Sequence, residues 1–406
     1  MKYMGSKQYM LKNGLSDLLS QEVPKSKRFI DPFAGSCAVV RHVALNYSVE
    51  IITSDLQLYS EVIAKSITGR TEKIDLEKLN RDWILKARKS CKNSRHFIPA
   101  TILERSPVDT VILVKKARVL CRKKSGIGPI WNAYGGHYFS PSQAIGIDYL
   151  MKYLPLEECE RSLCLSALIQ AASKIASAPG HTAQPLQPKD SGNVNNLIVQ
   201  AWKRDLFDQV KKELEVINQE HGQKLGSSYT LEANETLKDV REGDLVFLDP
   251  PYSGVQYSRF YHVLETIARG ECGPVEGVGR YPSLSDRPQS KFSNVGQSEE
   301  ALNSMMKLLS ERGAKVIFTF LEGDCSNGLS GDFVKKVSKK YFNIDEERGH
   351  VHGFFSTMGG NNRNRPSKIE SVELLLLLTP KLKKQRTIAS PKQVRSLSNE
   401  LIPMTL

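Results

Sequence analysis

The sequence predicts an α/β fold in which one open sheet is interrupted by a long, mainly helical insertion. Three observations predict it. Short apolar runs recur towards both ends of the 406-residue chain, and an acidic residue follows the second of them. The charged stretch between the two groups of runs contains no such apolar run. Unbroken apolar runs of this kind are typical of strands that are covered on both faces. We therefore expect the two ends of the chain to build one sheet.

The first group of elements is a strand–loop–helix–strand unit. Strands are predicted at Phe29-Ile30 and Val49–Ser54, with a helix at residues 38–45 between them. Asp55 follows the second strand, and residues 31–37 form the turn after the first. An acid in that place suits the hydroxyl pair of a ribose, as in nucleotide-binding α/β proteins. The unit therefore predicts a nucleotide site beside the turn.

A charged block, residues 68–227, separates this unit from the next strands. It is rich in Lys and Arg and has helix-like stretches around Leu76–Lys89 and Leu163–Ala176. Strand-like runs resume at Tyr229–Leu231, Leu245–Leu248, Lys315–Phe320 and Leu374–Leu378. We therefore predict one discontinuous domain from residues 1–67 and 228–380, an inserted domain at 68–227, and a basic tail at 381–406.

Charge and cysteine usage limit the class of protein. Lys and Arg number 57 against 44 Asp and Glu, which gives a net charge of +13. A balance this basic favours a polyanion, with nucleic acid ahead of a membrane; a merely basic enzyme is the alternative. The seven cysteines are scattered and include no CxxC pair, which argues against a disulfide framework and a zinc site. Without an apolar segment of about 18 residues, we expect a cytoplasmic protein with no metal and no membrane partner.

The tetrapeptide Asp249-Pro250-Pro251-Tyr252 carries the most chemistry. It follows the apolar run Leu245–Leu248, and two prolines end the strand there. At the carboxyl edge of a sheet, this turn brings together a carboxylate, a proline carbonyl and an aromatic ring. Those groups can hold the exocyclic amine of a planar base and stack on its ring. An ordinary turn at a strand end is the alternative.

Four segments, in chain order, resemble the D12 (Dam-like) class of adenine-N6-specific DNA methyltransferases. They are Lys2-Tyr3-Met4-Gly5-Ser6-Lys7, Asp31–Ser36, Asp55 and Asp249–Tyr252. The resemblance covers about residues 1–60 and 228–380. It implies a Rossmann-like sheet that binds S-adenosyl-L-methionine, with a target-recognition domain in the middle block. The implied reaction is sequence-specific methylation of an extruded adenine in double-stranded DNA, in a restriction-modification or defence system.

The resemblance also implies roles for individual residues. Those expected to contact the cofactor are Tyr3, Lys7, Asp31, Phe33, Ala34, Gly35, Ser36, Asp55, Asn234 and Asp249. Those expected to hold the adenine are Asp249, Pro250, Pro251 and Tyr252. Those expected to contact DNA are Lys2, Tyr257, Arg259 and His262. For the last three, a helix start with aromatics packed in the core is the alternative.

Two departures from the family pattern and one loop add to this interpretation. Cys37 stands where a second glycine is usual, and a left-handed backbone there would be strained. Asn234 stands where an aspartate is common. Residues 359–366 are rich in glycine and arginine and predict a hairpin tip, at which Arg363 and Arg365 contact phosphates; a solvated turn is the alternative.

Two other functions stay open at this point. Related Pro-Pro-Tyr motifs also serve methyltransferases that act on RNA or on protein amides, although the N-terminal lysines and the basic block favour duplex DNA. A DNA-binding specificity subunit without catalysis is the second alternative, against which the intact Asp249 and Tyr252 argue. A cognate restriction endonuclease is a further expected partner.

Overall fold

A computed structural model describes residues 5–122, 127–356 and 368–381 of the chain. The predicted roles of Lys2, Tyr3, Arg363 and Arg365, and the predicted basic tail beyond residue 381, fall outside these ranges. None of the helices in the described ranges combines the length and the apolar character that crossing a membrane requires.

The described chain contains nine strands, which are β1 Arg28–Asp31, β2 Glu50–Asp55, β3 Ser227–Thr230, β4 Asp244–Leu248, β5 Val275–Glu276, β6 Tyr281–Pro282, β7 Lys315–Leu321, β8 Phe342–Ser356 and β9 Lys368–Pro380. Seven of them form one sheet in the order β3-β2-β1-β4-β7-β9-β8, and β5 and β6 form a separate hairpin. Only β9 runs antiparallel to its neighbours in the large sheet. The predicted mixed α/β fold with one open, mostly parallel sheet is confirmed.

Seventeen α-helices accompany these strands. Those before the second strand group are α1 Gln8–Met10, α2 Ser16–Glu22, α3 Ala38–Asn46, α4 Leu58–Thr68, α5 Leu76–Leu79, α6 Lys86–Lys92, α7 Phe97–Arg105, α8 Thr110–Arg122, α9 Pro129–Tyr134, α10 Pro141–Lys152, α11 Glu158–Ile175, α12 Val194–Trp202 and α13 Leu206–Asn218. The later ones are α14 Ala233–Thr236, α15 Ser258–Arg269, α16 Ser298–Arg312 and α17 Gly331–Tyr341. The count refers to the described ranges alone.

Strands β1, β2, β4, β7 and β9 form where the apolar runs predicted them, because both faces of the sheet are covered there. All five residues of β4 are buried, and so are Leu374–Leu378 of β9. One hydrophobic cluster covers the face that includes Phe29 and Leu245, and a second covers the face that includes Val246. Strand β8 and the hairpin β5–β6 carry no comparable apolar run, and the sequence did not define them.

Helices α5–α13 occupy the chain between β2 and β3, and no strand is found between them in the described residues. Polar capping fixes several of their ends: Ser140 and Gln143 form a reciprocal capping box at the start of α10, and Asp205 caps α13. The cluster on the Phe29 face of the sheet continues into this block through Trp83 and Leu168. The block therefore packs against the sheet on a shared core.

The sheet reverses its direction of growth between β1 and β4. From β1 the chain moves outward through β2 and β3, and from β4 it moves outward through β7. At such a switch point the turns that leave two adjacent strands diverge and leave a crevice at the carboxyl edge. The turn at residues 31–37 and the turn at residues 249–252 lie on the two sides of that crevice.

Candidate active site

The crevice between β1 and β4 widens into a cavity of about 980 Å³, which includes space open to solvent. Ligand pockets in proteins occupy roughly 300–1,000 Å³. Predicted site residues that line it are Lys7, Asp31, Phe33, Ala34, Gly35, Ser36, Asp55, Asp249, Pro250, Pro251, Tyr252 and Tyr257. All residues of three of the four segments that the sequence singled out therefore line one cavity. Gly5 and Lys7 of the N-terminal segment line it as well.

Asp249 is held by one of its two carboxylate oxygens. The Lys7 ammonium lies 3.0 Å from Oδ1, and the Thr319 hydroxyl donates to the same oxygen over 3.0 Å. Lys7 also pairs with Glu373 of β9 at 3.1 Å. Among the described residues, no hydrogen bond or ion pair engages Oδ2 of Asp249. The carboxylate is therefore fixed in orientation while one acceptor oxygen remains available.

Burial and ion pairing oppose each other in this cluster. Burial raises the pKa of Asp249 to about 6, with Lys7 opposing the rise and Glu373 adding to it. Burial alone would lower the pKa of Lys7, but the two carboxylates together outweigh it and raise that pKa. Lys7 is 5% exposed and stays charged at neutral pH. It is therefore the group that keeps a buried Asp249 largely ionised.

Tyr252 lies beside this cluster with its ring largely covered. It is 4% exposed, its ring meets Phe320 edge-on at 6.1 Å, and its hydroxyl hydrogen-bonds with Tyr257. A Cβ added to Gly5 would come within 2.7 Å of that hydroxyl, and Gly5 has a φ of +75°. Both constraints require glycine, so the N-terminal segment is shaped to pack on the Tyr252 ring.

Two further carboxylates stand at the ends of β1 and β2. Asp31 is 2% exposed, and its Oδ1 accepts the Phe33 amide at 3.0 Å. Asp55 accepts the Gly35 amide at 2.9 Å and the Gln57 amide at 2.9 Å. Burial raises the pKa of Asp31 well above its ordinary value and that of Asp55 to about 6. The acid predicted to meet a ribose therefore also ties the first turn to the second strand.

Cys37 adopts the left-handed backbone that a glycine would favour, with φ +58° and ψ +25°. Its side chain is buried, and its Sγ lies 3.4 Å from the Ser60 carbonyl. Burial raises the pKa of this thiol, so the thiol is a poor nucleophile. The left-handed backbone considered from the sequence is therefore present at Cys37, in a residue whose side chain also contacts Ser60.

A strap formed by residues 288–293 covers one side of the cavity and was not predicted. Gln256 accepts the Ser290 amide at 2.7 Å and donates to the Ser290 carbonyl at 3.1 Å. Asn327, fully buried, donates to the Pro251 carbonyl at 2.9 Å and to the Phe292 carbonyl at 2.8 Å. The Phe292 ring meets Phe33 edge-on at 5.3 Å. Asn327 therefore joins the Asp249–Tyr252 turn to the strap.

Sequence reasoning missed these partners because they are remote in the chain. Glu373 lies 366 positions from Lys7, and neither Asn327 nor Phe292 belongs to a motif. Gly5 is different, since it stands between the two lysines of the N-terminal segment that had been singled out.

Three predicted site residues, Asn234, Arg259 and His262, do not line the cavity. Asn234 is not among its lining residues, although Glu232 and Ala233 are, and its buried Oδ1 has no hydrogen-bond partner in the described structure. Arg259 is exposed, and its guanidinium lies 4.9 Å from the centroid of the Tyr281 ring. Neither observation tests the predicted role.

His262 is the third predicted site residue that does not line the cavity. It is 2% exposed, its ring stacks on Tyr134 at 5.6 Å, and its Nε2 lies 2.9 Å from the Gly279 carbonyl. Burial and the nearby Arg287 lower its pKa to about 3. The ring is therefore neutral and enclosed in this structure, and its predicted contact with DNA stays a prediction.

Comparisons with known proteins match the segments that line the cavity. The family model described as "D12 class N6 adenine-specific DNA methyltransferase" matches residues 3–99 and 191–318, together more than half of the chain. The match includes the N-terminal segment from Tyr3 onward, the turn after β1, Asp55 and the Asp249–Tyr252 turn. It also extends into both ends of the helical block, beyond the resemblance noted in the sequence.

Three curated relatives have similar sequences. Modification methylase StsI of Streptococcus sanguinis is 24% identical over 76% of this chain and 42% of its own length. Modification methylase LlaI of Lactococcus lactis subsp. lactis is 22% identical over 74% of this chain and 43% of its own length. Type II methyltransferase M.NlaIII of Neisseria lactamica is 24% identical over 85% of this chain and 90% of its own length.

The chain thus spans about two fifths of the length of the first two relatives and nine tenths of the third. The family match covers more than half of the chain and includes every motif that lines the cavity. By this match, the chain belongs to the D12 class N6 adenine-specific DNA methyltransferase family.

Proposed function

We propose that this protein transfers a methyl group from S-adenosyl-L-methionine to N6 of an adenine extruded from double-stranded DNA. One observation carries the proposal. Oδ1 of Asp249 is anchored by Lys7 and Thr319, while Oδ2 has no partner in the described structure. The Pro250 carbonyl, which also accepts no hydrogen bond in that structure, belongs to the same cavity wall.

These two acceptors suit an exocyclic amine. The lone pair of adenine N6 is delocalised into the ring, which makes the nitrogen a poor nucleophile. A carboxylate oxygen and a carbonyl that accept its two N–H bonds draw it towards tetrahedral geometry and stabilise the positive charge that develops there. Acceptors fixed in advance contribute most when water is excluded, and Lys7 and Thr319 fix this one.

The rest of the cavity fits the proposed cofactor. Asp55 at the end of β2 suits ribose hydroxyls, and the tight turn at Gly35 lets a ligand approach the backbone. The edge-on pair of Phe33 and Phe292 provides an apolar wall for a purine. S-adenosyl-L-methionine supplies a methyl group activated by its positive sulfonium. The residues present therefore fit this group.

The target base must leave the duplex, because N6 is out of reach inside it. Stacking on Tyr252 would return about 1–3 kcal/mol, comparable to the few kcal/mol that unstacking costs. Since the Tyr252 ring is covered here, we infer that the segment around Gly5 moves when the base enters. The cavity then supplies both a hydrogen-bonding wall and a stacking surface.

The names of the relatives support a proposal for the biological setting. Two are named modification methylases and one a type II methyltransferase, so a restriction-modification role with a cognate endonuclease is the setting we propose. The helical block between β2 and β3 would then carry target recognition, with residues 1–67 and 228–380 as the catalytic domain. Seven free cysteines agree with the proposed cytoplasmic location.

The test uses Asp249→Asn, which is isosteric with the native side chain. The two donors Lys7 and Thr319 should select the amide oxygen at the Oδ1 position and leave the NH2 group where Oδ2 was. Methyl transfer from labelled cofactor should fall by more than about a hundredfold, while affinity for DNA and for the cofactor is retained. The matched control is Asp239→Asn, an exposed residue in the short 3-10 turn that precedes β4.

Three results would contradict the proposal. Equal methyl transfer by Asp249→Asn and wild type would remove Oδ2 from the reaction. Transfer of label to RNA or to a protein acceptor, with none to duplex DNA, would favour the alternative substrates. A protein that binds DNA but no cofactor would be a specificity subunit.

A further inference from the structure

Five arginines near the cavity have no carboxylate within 4 Å in the part of the chain that the structure describes. They are Arg118, Arg122, Arg259, Arg280 and Arg287, referred to below as the arginine surface. Neighbouring cations differ: Arg269 pairs with Glu265 at 2.7 Å. The surface is therefore a local excess of positive charge rather than a network of ion pairs.

The arginine surface begins at the wall of the cavity. Ser258 and Pro288 line the cavity, and Arg259 and Arg287 are their neighbours in the chain. Both guanidinium groups lie over the ring of Tyr281 in the hairpin, at 4.9 Å and 5.5 Å from its centroid. One tyrosine thus holds two like charges close together beside the proposed entry for the base.

From there the surface continues into the helical block. Arg280, next to Tyr281, donates from Nε to the Ala133 carbonyl at 2.8 Å. Arg118 of α8 donates from Nε to the Gly136 carbonyl at 3.2 Å, and Arg122 lies one helical turn further on. The arginine surface therefore extends from the cavity wall, through the hairpin, to α8.

The arginines of this surface repel each other. Burial, and then repulsion from Arg122 and Arg280, lowers the pKa of Arg118. Burial together with Arg118, Arg280 and Arg122 lowers the pKa of His137 to about 3, so that ring is neutral and adds no further charge. Glu271 and Asp286 line a second cavity with Arg287, but neither pairs with it within 4 Å. Uncompensated like charges cost folding stability, and a polyanion would offset that cost.

We propose that the arginine surface binds the phosphodiester backbone of the DNA strand that carries the target adenine. It would guide the strand from the cavity mouth to the helical block. This inference rests on the proposed function and adds the residues and the path. Arginine suits the role because its planar fork donates to two phosphate oxygens at once. Such contacts position the strand and carry no sequence information themselves.

The experiment measures affinity for a labelled duplex by anisotropy, from about 50 to about 200 mM salt. Arg122→Gln and Arg259→Gln are suitable because both side chains are exposed and neither donates a hydrogen bond in the described structure. Each should weaken binding about tenfold and reduce the log–log salt slope by about 0.9. The loss should be equal for a methylatable and a scrambled duplex. Lysine at either position should restore most of the slope.

The control is Arg81→Gln, an exposed arginine already paired with Asp82 at 2.9 Å, which should leave affinity and slope unchanged. If the double variant Arg122→Gln/Arg259→Gln matches wild type in both quantities, the inference is wrong, and this outcome leaves the proposed function untouched when both proteins methylate DNA. A loss of binding to RNA alone would assign the surface to RNA and overturn the inference. Altered slopes in a protein that transfers no methyl group would refute the proposed function and leave this surface standing.

Discussion

Two groups of basic residues lie close together in this protein and differ in what neutralises them. Lys7 is buried in the cavity between Asp249 and Glu373, at 3.0 and 3.1 Å. The arginine surface beside the cavity has no carboxylate within 4 Å in the described chain. A cation that is already neutralised by protein serves to position other groups, whereas unneutralised cations are available to a polyanion.

The difference assigns separate steps to the two regions. The buried cluster should govern the rate of transfer once DNA and cofactor are bound. The arginine surface should govern how tightly DNA is held. Variants of the first region are therefore expected to change the rate at saturation, and variants of the second to change affinity.

The largest expected effect is that of Lys7→Met, which removes the buried cation and keeps a similar volume. Asp249 and Glu373 would then lie near each other without a cation between them, although Thr319 would still donate to Asp249. Breaking a buried ion pair costs about 3–5 kcal/mol of stability. Because Lys7 lowers the pKa of Asp249, its loss should raise that pKa above about 6. Methyl transfer at pH 7 should fall about a hundredfold, with the acid limb of the rate profile moved to higher pH.

Lys12→Met is the matched control for this change, since Lys12 is exposed on the same segment. Rates are compared on protein shown by circular dichroism to be folded at the assay temperature. An unshifted acid limb in folded Lys7→Met would show that Lys7 does not set the ionisation of Asp249.

The next effect concerns an uncharged buried group. In Asn327→Asp, an oxygen replaces the Nδ2 that donates to the carbonyls of Pro251 and Phe292. Losing two buried hydrogen bonds at about 1–3 kcal/mol each should release the strap over the cavity. The KM for the cofactor should rise about tenfold or more, with a smaller change in kcat.

Asn303→Asp provides the comparison, because the Asn303 oxygen only accepts hydrogen bonds, from Lys340 and Tyr341, and Asp can do the same. An Asn327→Asp enzyme with an unchanged KM would mean that the strap does not shape the cofactor site.

Glu373→Gln should shift the rate profile in the direction opposite to Lys7→Met. Glu373 raises the pKa of Asp249, and Gln can still accept from Lys7. With that negative charge gone, the pKa of Asp249 falls below about 6, and the acid limb moves to lower pH. In an assay at about pH 5.5, a fall of about one pKa unit would raise the ionised fraction of Asp249 about threefold. The rate should rise by the same factor relative to wild type. A shift in the same direction as Lys7→Met would refute this account of the cluster.

The smallest effect is expected at Cys37, away from both basic groups. Its left-handed backbone costs about 1–2 kcal/mol for a residue with a Cβ. Cys37→Gly removes that strain, whereas Cys37→Ala keeps it, and both lose the contact of Sγ with Ser60. Chemical denaturation should find the Gly variant about 1 kcal/mol more stable than the Ala variant. Equal stabilities would indicate that the backbone at this position carries no strain.

Most strands of the large sheet, and the two turns that form the site, could be predicted from local sequence. Apolar runs identified β1, β2, β4 and β7, because strands buried on both faces must be apolar along their whole length. The turns after β1 and β4 could be placed together because parallel strands end at one edge. The hairpin β5–β6, only two residues per strand, has no such pattern and could not be found this way.

The partners that position the site required the folded chain. Glu373 stands between Val372 and Leu374 in an apolar stretch of β9, and only the packing of β9 against β7 brings it to Lys7. The burial of His262 could not be predicted, because a histidine beside a motif is indistinguishable in sequence from one buried behind it. The hydrogen bonds of Asn327 join residues 76 and 35 positions away, which no local pattern records.

Single-turnover methyl transfer at saturating DNA and cofactor, with the product identified as N6-methyladenine, tests the separation of the two regions most directly. We predict that Lys7→Met and Asp249→Asn remain slow however much DNA is added. The double variant Arg122→Gln/Arg259→Gln should return to the wild-type rate once DNA saturates it. The opposite pattern, with the arginine variant slow at saturation and the Lys7 variant restored by DNA, would contradict the account.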